Sequence, residues 1–177
     1  MIFFYVLVSI SFVLALLVEG SVFSFFIVEQ ALPDIFLVMV VSLGFILDER
    51  RGAAIGLCAG LLQDVIFSKA LGFFALAKML LGYGAGLLGR ELYREQLLAP
   101  VLLVFVGTLT NEFILHLLVS QFIGFGLPVE MSLSRLFIPK AFYNMALTLL
   151  IYPLFYRAYH RRRQIRSSFS RQKGAMR

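Results

Sequence analysis

GAAIGLCAGLLQDVIFSKALGFFALAKMLLGYGAGLLG, Gly52 to Gly89, contains the features on which the fold turns. It is two apolar runs joined by a short link, and each run carries one full charge well inside it, Asp64 in the first and Lys78 in the second. Gly52, Gly56 and Gly60 recur every four residues, as do Gly82 and Gly86, so each set lies along one face of a helix. Small residues at that spacing let helix backbones approach closely, which matters most in lipid, where packing rather than the hydrophobic effect holds helices together. Such a face serves either internal packing between neighbouring helices or docking of a partner's helix. Gly84 and Gly89 add to the softness of the second run, where a bend is expected.

The rest of the chain has the same character. Of its 177 residues 60% are hydrophobic, only 15% are charged and 19 are Phe, and the mean hydropathy is +0.91. A water-soluble domain cannot hide that much apolar surface, and soluble chains carry about a quarter charged residues. The composition therefore predicts an all-α integral membrane protein. A span needs roughly 20 residues to cross about 30 Å of hydrocarbon, so the length fits about six helices with short loops and no separate soluble domain. Apolar segments over 2–18, 31–47, 52–67, 71–89, 97–123 and 133–156 make one compact six-helix transmembrane domain, residues 1–156, followed by a basic tail, 157–177. The first 49 residues contain no Lys or Arg, so the basic start of a cleavable signal peptide is missing and 2–18 is expected to stay as the first helix.

Positive charge sets the orientation. Twelve of the 16 Lys and Arg residues fall at alternate boundaries, Arg50 and Arg51, Arg90 and Arg94, and the tail. The intervening loops carry Lys69 with Glu19, Glu29 and Glu130. Both termini are thus placed in the cytoplasm. The tail arginines Arg161, Arg162, Arg163 and Arg166 read as a solvated anchor, with contact to anionic lipid headgroups adding roughly 1 kcal/mol for each basic residue near the surface. A nucleic-acid arm is not expected, since no stacking aromatics accompany the charge.

Charges within spans cost roughly 2.5 to 3.5 kcal/mol each, so every one needs a partner, water or a purpose. Asp34, Asp64, Lys78, Glu112, His116, Arg135 and Lys140 are such residues, with Gln63, Asn111 and Asn144 beside them. A rise of about 1.5 Å per residue places nearly all of them in the outer half of the bundle. Asp64 is expected to pair with Lys78, and Glu112 and His116, four apart on one face, to meet Arg135 and Lys140. Asp34 follows Pro33 at the outer start of the second helix, where an acid favours the helix dipole. The set forms either mutually neutralising pairs that fix helix register, or a polar cavity open to the outside for a ligand or a partner's polar group. A proton relay uses the same residue types.

Catalytic patterns are missing from the sequence. Glu112 and His116 have spacing four, unlike the Glu-x-x-His pairs of di-iron bundles, and no HExxH, GxSxG or Walker A sequence occurs. The single cysteine, Cys58, excludes a disulfide within the chain and a Cys-based metal cluster. No enzyme, cofactor or metal is predicted.

The segment from Ala31 to Leu92 resembles the bacterial rod shape-determining protein MreD. The matching residues are Pro33-Asp34, then Gly56-x-x-x-Gly60-Leu61-Leu62-Gln63-Asp64, then Gly72 with Ala75-Leu76-x-Lys78, and Gly82-Tyr83 with Gly86. The resemblance implies a non-enzymatic scaffold of the inner membrane that works with MreC in cell elongation and peptidoglycan synthesis. MreB filaments, the glycan polymerase RodA and a class B penicillin-binding protein are then its wider company. The family is also similar in fold to the substrate-binding S components of energy-coupling-factor vitamin transporters, which supplies an alternative function. S components present small residues at four-residue spacing on their first helix, where this chain has only Ser11 and Ala15, and that favours the scaffold.

Overall fold

The computed structural model describes residues 2–25, 32–67, 71–92, 96–122 and 136–174, with side chains described over 4–21 of the first stretch and as far as 160 in the last. Every regular element among them is helical: α1 (Ile2–Phe25), α2 (Ile35–Ile46), α3 (Glu49–Phe67), α4 (Phe73–Glu91), α5 (Leu98–Phe122) and α6 (Ile138–Gly174). Their ends are chemically marked. Asp34 caps α2 through its carboxylate on the Leu37 N–H, and Asp48 does the same for α3 on the Arg51 N–H. Gly72 enters α4 at φ 104°, a left-handed conformation that glycine adopts without penalty.

The helices run alternately up and down. Phe12 of α1 meets Phe36 of α2, Phe105 of α5 meets Phe142 of α6, and Phe4 at the start of α1 meets Tyr159, past the middle of α6. α2 is the axis. Every residue from Phe36 to Leu47 is buried, and α1, α3, α4, α5 and α6 all pack on it. Its 12 residues make it about 18 Å long.

Three expected boundaries shift. The second helix starts at Ile35 rather than at 31, because Pro33 and the Asp34 cap fix the entry there, and the first runs past Val18 to Phe25. The last helix continues beyond Tyr156 to Gly174, in keeping with the helix propensity of Arg, Gln and Lys. The side chains of Arg161, Arg162, Arg163 and Arg166, and all of Arg135, lie outside the described residues.

Polarity is reversed relative to a water-soluble domain. Lys78, Asn111, Asn144 and Asp64 are buried, at 0 to 1% exposure, while Val13, Val65, Leu102 and Leu150 are among many large apolar side chains more than half exposed. That distribution suits hydrocarbon as the solvent. Two helices are long and apolar enough on their own to cross a bilayer, α1 over Phe4–Ser21 and α5 over Leu98–Phe122.

The glycine faces are consumed inside the chain. α3 and α4 form the tightest hairpin, with Gly52 against the Gly82 carbonyl, Gly56 against the backbone of Lys78 and Gly60 against that of Ala75. Gly86 lies against the backbone of Glu49, and Gly44 of α2 enters the same seam, where a Cβ would stand 2.6 Å from the Gly82 carbonyl oxygen. Gly84 faces open space. We expect Gly52→Ala or Gly82→Ala to destabilise the bundle by about 1–3 kcal/mol, since backbone cannot yield to the new methyl. Gly84→Ala is expected to leave stability unchanged or raise it by up to about 1 kcal/mol. Unfolding in detergent micelles, followed by circular dichroism, separates the two outcomes.

Candidate functional site

Groups of α2, α3, α4 and α6 meet at Asp34, and α1 and α5 join them through Gln63 and Asn144. Asp34 Oδ1 accepts from the Leu37 N–H at 2.8 Å, and its Oδ2 receives the Lys78 Nζ of α4 at 2.7 Å. Gln63 of α3 reaches Oδ1 at 3.4 Å with the same amide nitrogen that donates to Glu19 Oε2 of α1 at 3.0 Å. The Asp34 N–H donates to Asn144 Oδ1 of α6 at 2.8 Å, and Asn144 Nδ2 donates to Thr108 Oγ1 of α5 at 3.0 Å. A helix N-terminus has four amides without intrahelical acceptors. At α2 the Ile35 and Phe36 N–H groups donate to Glu19 Oε1, Leu37 donates to Asp34, and Val38 returns to the Asp34 carbonyl.

A buried charge without partners costs several kcal/mol, and the surplus of acids over lysines here is absorbed by such amides. Asp64 takes the N–H groups of Gly72, Phe74 and Ala75, each at 3.0 Å, and so caps α4 from the end of α3. The expected Asp64–Lys78 pair is therefore corrected to Asp34–Lys78. The antiparallel register explains the exchange, because Lys78 lies across from Gly56, two helical turns along α3 from Asp64. The Lys78 ammonium also sits 5.2 Å above the Phe74 ring.

A second pair closes the layer. Lys140 Nζ of α6 is 2.8 Å from Glu112 Oε1 of α5, which also accepts from Asn111 at 3.2 Å. His116, one turn on, lies edge-on to the Phe137 ring at 6.2 Å rather than against an acid. At the opposite end of the bundle Glu49 pairs with Arg90. Between these ends the described interior is apolar apart from the Ser42 and Thr148 hydroxyls, and Asp34, Asp64, Lys78, Glu112 and Lys140 lie at one end.

Glu19 and Thr108 are members of the network that the sequence did not announce. A first segment that ends at Val18 leaves Glu19 in a loop. The apolar residues following Gly20, Val22-Phe23 and Phe25, are the signal that the helix goes on to Phe25. A cavity of about 120 Å³ opens among Glu19, Asp34, Gln63 and Lys140, with Pro33 and Phe74 completing the wall. Among the described residues no three His, Cys, Asp or Glu side chains are placed to hold a metal ion. The arrangement joins helices and offers a small polar recess.

Replacing Lys78 by Met is expected to cost about 3–5 kcal/mol, since it strands the Asp34 carboxylate. A double-mutant cycle of Lys78→Met with Asp34→Asn, read by unfolding in detergent, should return a coupling of about 0.5–3 kcal/mol, whereas Lys78→Met with Asp64→Asn should be additive within about 0.5 kcal/mol. Coupling to Asp64 and none to Asp34 would contradict the pairing.

Comparison with known proteins agrees with this architecture at the level of family. No match was found among curated proteins or among solved structures. The family model described as rod shape-determining protein MreD matches residues 1–162, which takes in α1 to α5 and the bundle portion of α6. The chain belongs to the MreD family, membrane proteins with a role in determining rod shape.

Proposed function

We propose that this protein is a six-span scaffold of the bacterial inner membrane, with both termini cytoplasmic, that supports rod-shaped growth and peptidoglycan synthesis by assembling with MreC. Through MreC it meets RodA, a class B penicillin-binding protein and MreB filaments. The observation that carries this reading is that the charged groups of the polar layer are spent on holding helices together. Asp34 and Glu112 hold lysines, Asp64 and Glu19 hold helix amides, and no nucleophile stands beside a base among the residues that the layer contains. What the bundle has to offer is binding surface.

The glycine faces are spent on α3–α4 and α2–α4 contacts, so the partner's single helix is assigned to the apolar exterior of the bundle. The basic end of α6, with Arg161, Arg162, Arg163 and Arg166, is assigned to filaments or anionic lipid at the cytoplasmic face. On α1 the Ser11 hydroxyl donates to the Leu7 carbonyl at 2.8 Å and Ala15 is buried, which leaves no face of small residues for a coupling subunit. The test is capture of the tagged chain from native membranes in mild detergent, with identification of what accompanies it. A single-span protein with a periplasmic domain is the expected partner, in amounts reduced several-fold by Lys78→Met. Recovery of an ATPase pair with a coupling subunit would overturn the scaffold.

A further inference from the structure

The seam between α1 and α3 has a feature that neither pairing nor capping uses. A groove of about 510 Å³ runs along it, lined on α1 from Phe4 to Leu16 and on α3 from Ala54 to Leu62, with Val8, Phe12, Ile55 and Ala59 on its floor and walls. Phe4 to Leu16 is about 18 Å of helix. The groove leads toward the polar recess: Glu19 follows Leu16 by three residues and Gln63 follows Ala59 by four, so each recess residue continues a helix face that lines the groove.

The recess has unmet acceptor capacity. Gln63 is 5% exposed, its Oε1 has no hydrogen-bond partner, and it lies in the recess wall. Glu19 accepts only N–H groups, from Ile35, Phe36 and Gln63, and among the described residues no Lys or Arg nitrogen lies within 4 Å of it. The two lysines nearby are committed to Asp34 and Glu112. Side by side, a carboxylate without a cation and an amide oxygen without a donor call for a positively charged N–H donor.

Chemistry decides what brings it. The groove is lined almost throughout by apolar side chains and opens to the outside of the bundle, so an acyl chain lies in it without leaving a polar group unpaired. The adjoining recess, about 120 Å³, is small and polar and suits an ammonium with its short linker. We propose that the α1–α3 seam is a binding site for one phospholipid with a primary-ammonium head, phosphatidylethanolamine, its acyl chain in the groove and its ammonium on Gln63 Oε1 and Glu19. Lys140, also in the recess wall, faces the linking phosphate. Phosphatidylcholine has the same charge and no N–H to donate, and phosphatidylglycerol brings a net negative charge toward Glu19, so both are selected against.

The test uses the full chain in lipid nanodiscs with a phosphatidylethanolamine that carries a diazirine in one acyl chain. Cross-links are expected in peptides covering 4–16 and 54–62. Unlabelled phosphatidylethanolamine should displace them at about tenfold lower concentration than phosphatidylcholine or phosphatidylglycerol of the same chains, the factor that one charge-assisted hydrogen bond supplies. Gln63→Met should abolish that preference while the cross-links stay in place. Equal displacement by phosphatidylcholine would mean that the recess holds water only, and preference for phosphatidylglycerol that Lys140 selects instead. Either result, or cross-links spread over α4 to α6, overturns the proposal, and the competition on the unsubstituted chain stands even if the variants fail to fold.

Discussion

A carboxylate held out of water governs this bundle. Asp34 sits at the head of the central helix where its carboxylate must be met by donors, and it is met by Lys78, Gln63 and the first turn of its own helix, while its backbone N–H donates to Asn144. Moving any neighbouring helix by a turn would strand one of these groups. Apolar contacts alone tolerate sliding, since one leucine replaces another with little loss. The polar node does not, and it therefore sets the mutual height of six helices whose outer surfaces are nearly featureless.

Beneath that node the glycines do the complementary work. With Gly52, Gly56, Gly60, Gly82 and Gly86 lining the α3–α4 hairpin, carbonyls and Cα atoms of the two backbones come into direct contact, and dispersion gains what side chains would have kept apart. The close approach also places the start of α4 under Asp64, so that one acid closes the hairpin by capping the next helix. Shape and charge thus specify one register twice, and the exposed apolar sides of α1, α3, α4, α5 and α6 are left free of that duty.

How much of this was legible follows from range. The helical character, the alternation of direction and the gathering of polar groups at one end are written in hydropathy and in the spacing of charges, and they appear in the structure as α1 to α6. The place of Asp34 at the start of α2 was visible because Pro33-Asp34 is a local signal, and its side-chain cap on Leu37 is what the structure adds. The partner of Lys78 was not, because residues 34 and 78 are 44 apart and only the glycine-set register of α3 against α4 decides which acid comes within reach. Glu19 was hidden by a boundary error of a few residues. The complete burial of α2 was hidden because lipid and protein interior ask for the same apolar residues, and hydropathy does not tell them apart.

The sequence distances within the node have a consequence for biogenesis. As the chain is made from its N-terminus, Asp34 leaves the ribosome well before Lys78 and 110 residues before Asn144. During that interval the acid has no lysine to face, so α2 is a poor passenger for the hydrocarbon until the α3–α4 hairpin arrives, and the node closes only when the sixth helix is in place. A truncated translation product that stops before α4 would carry that acid without its lysine.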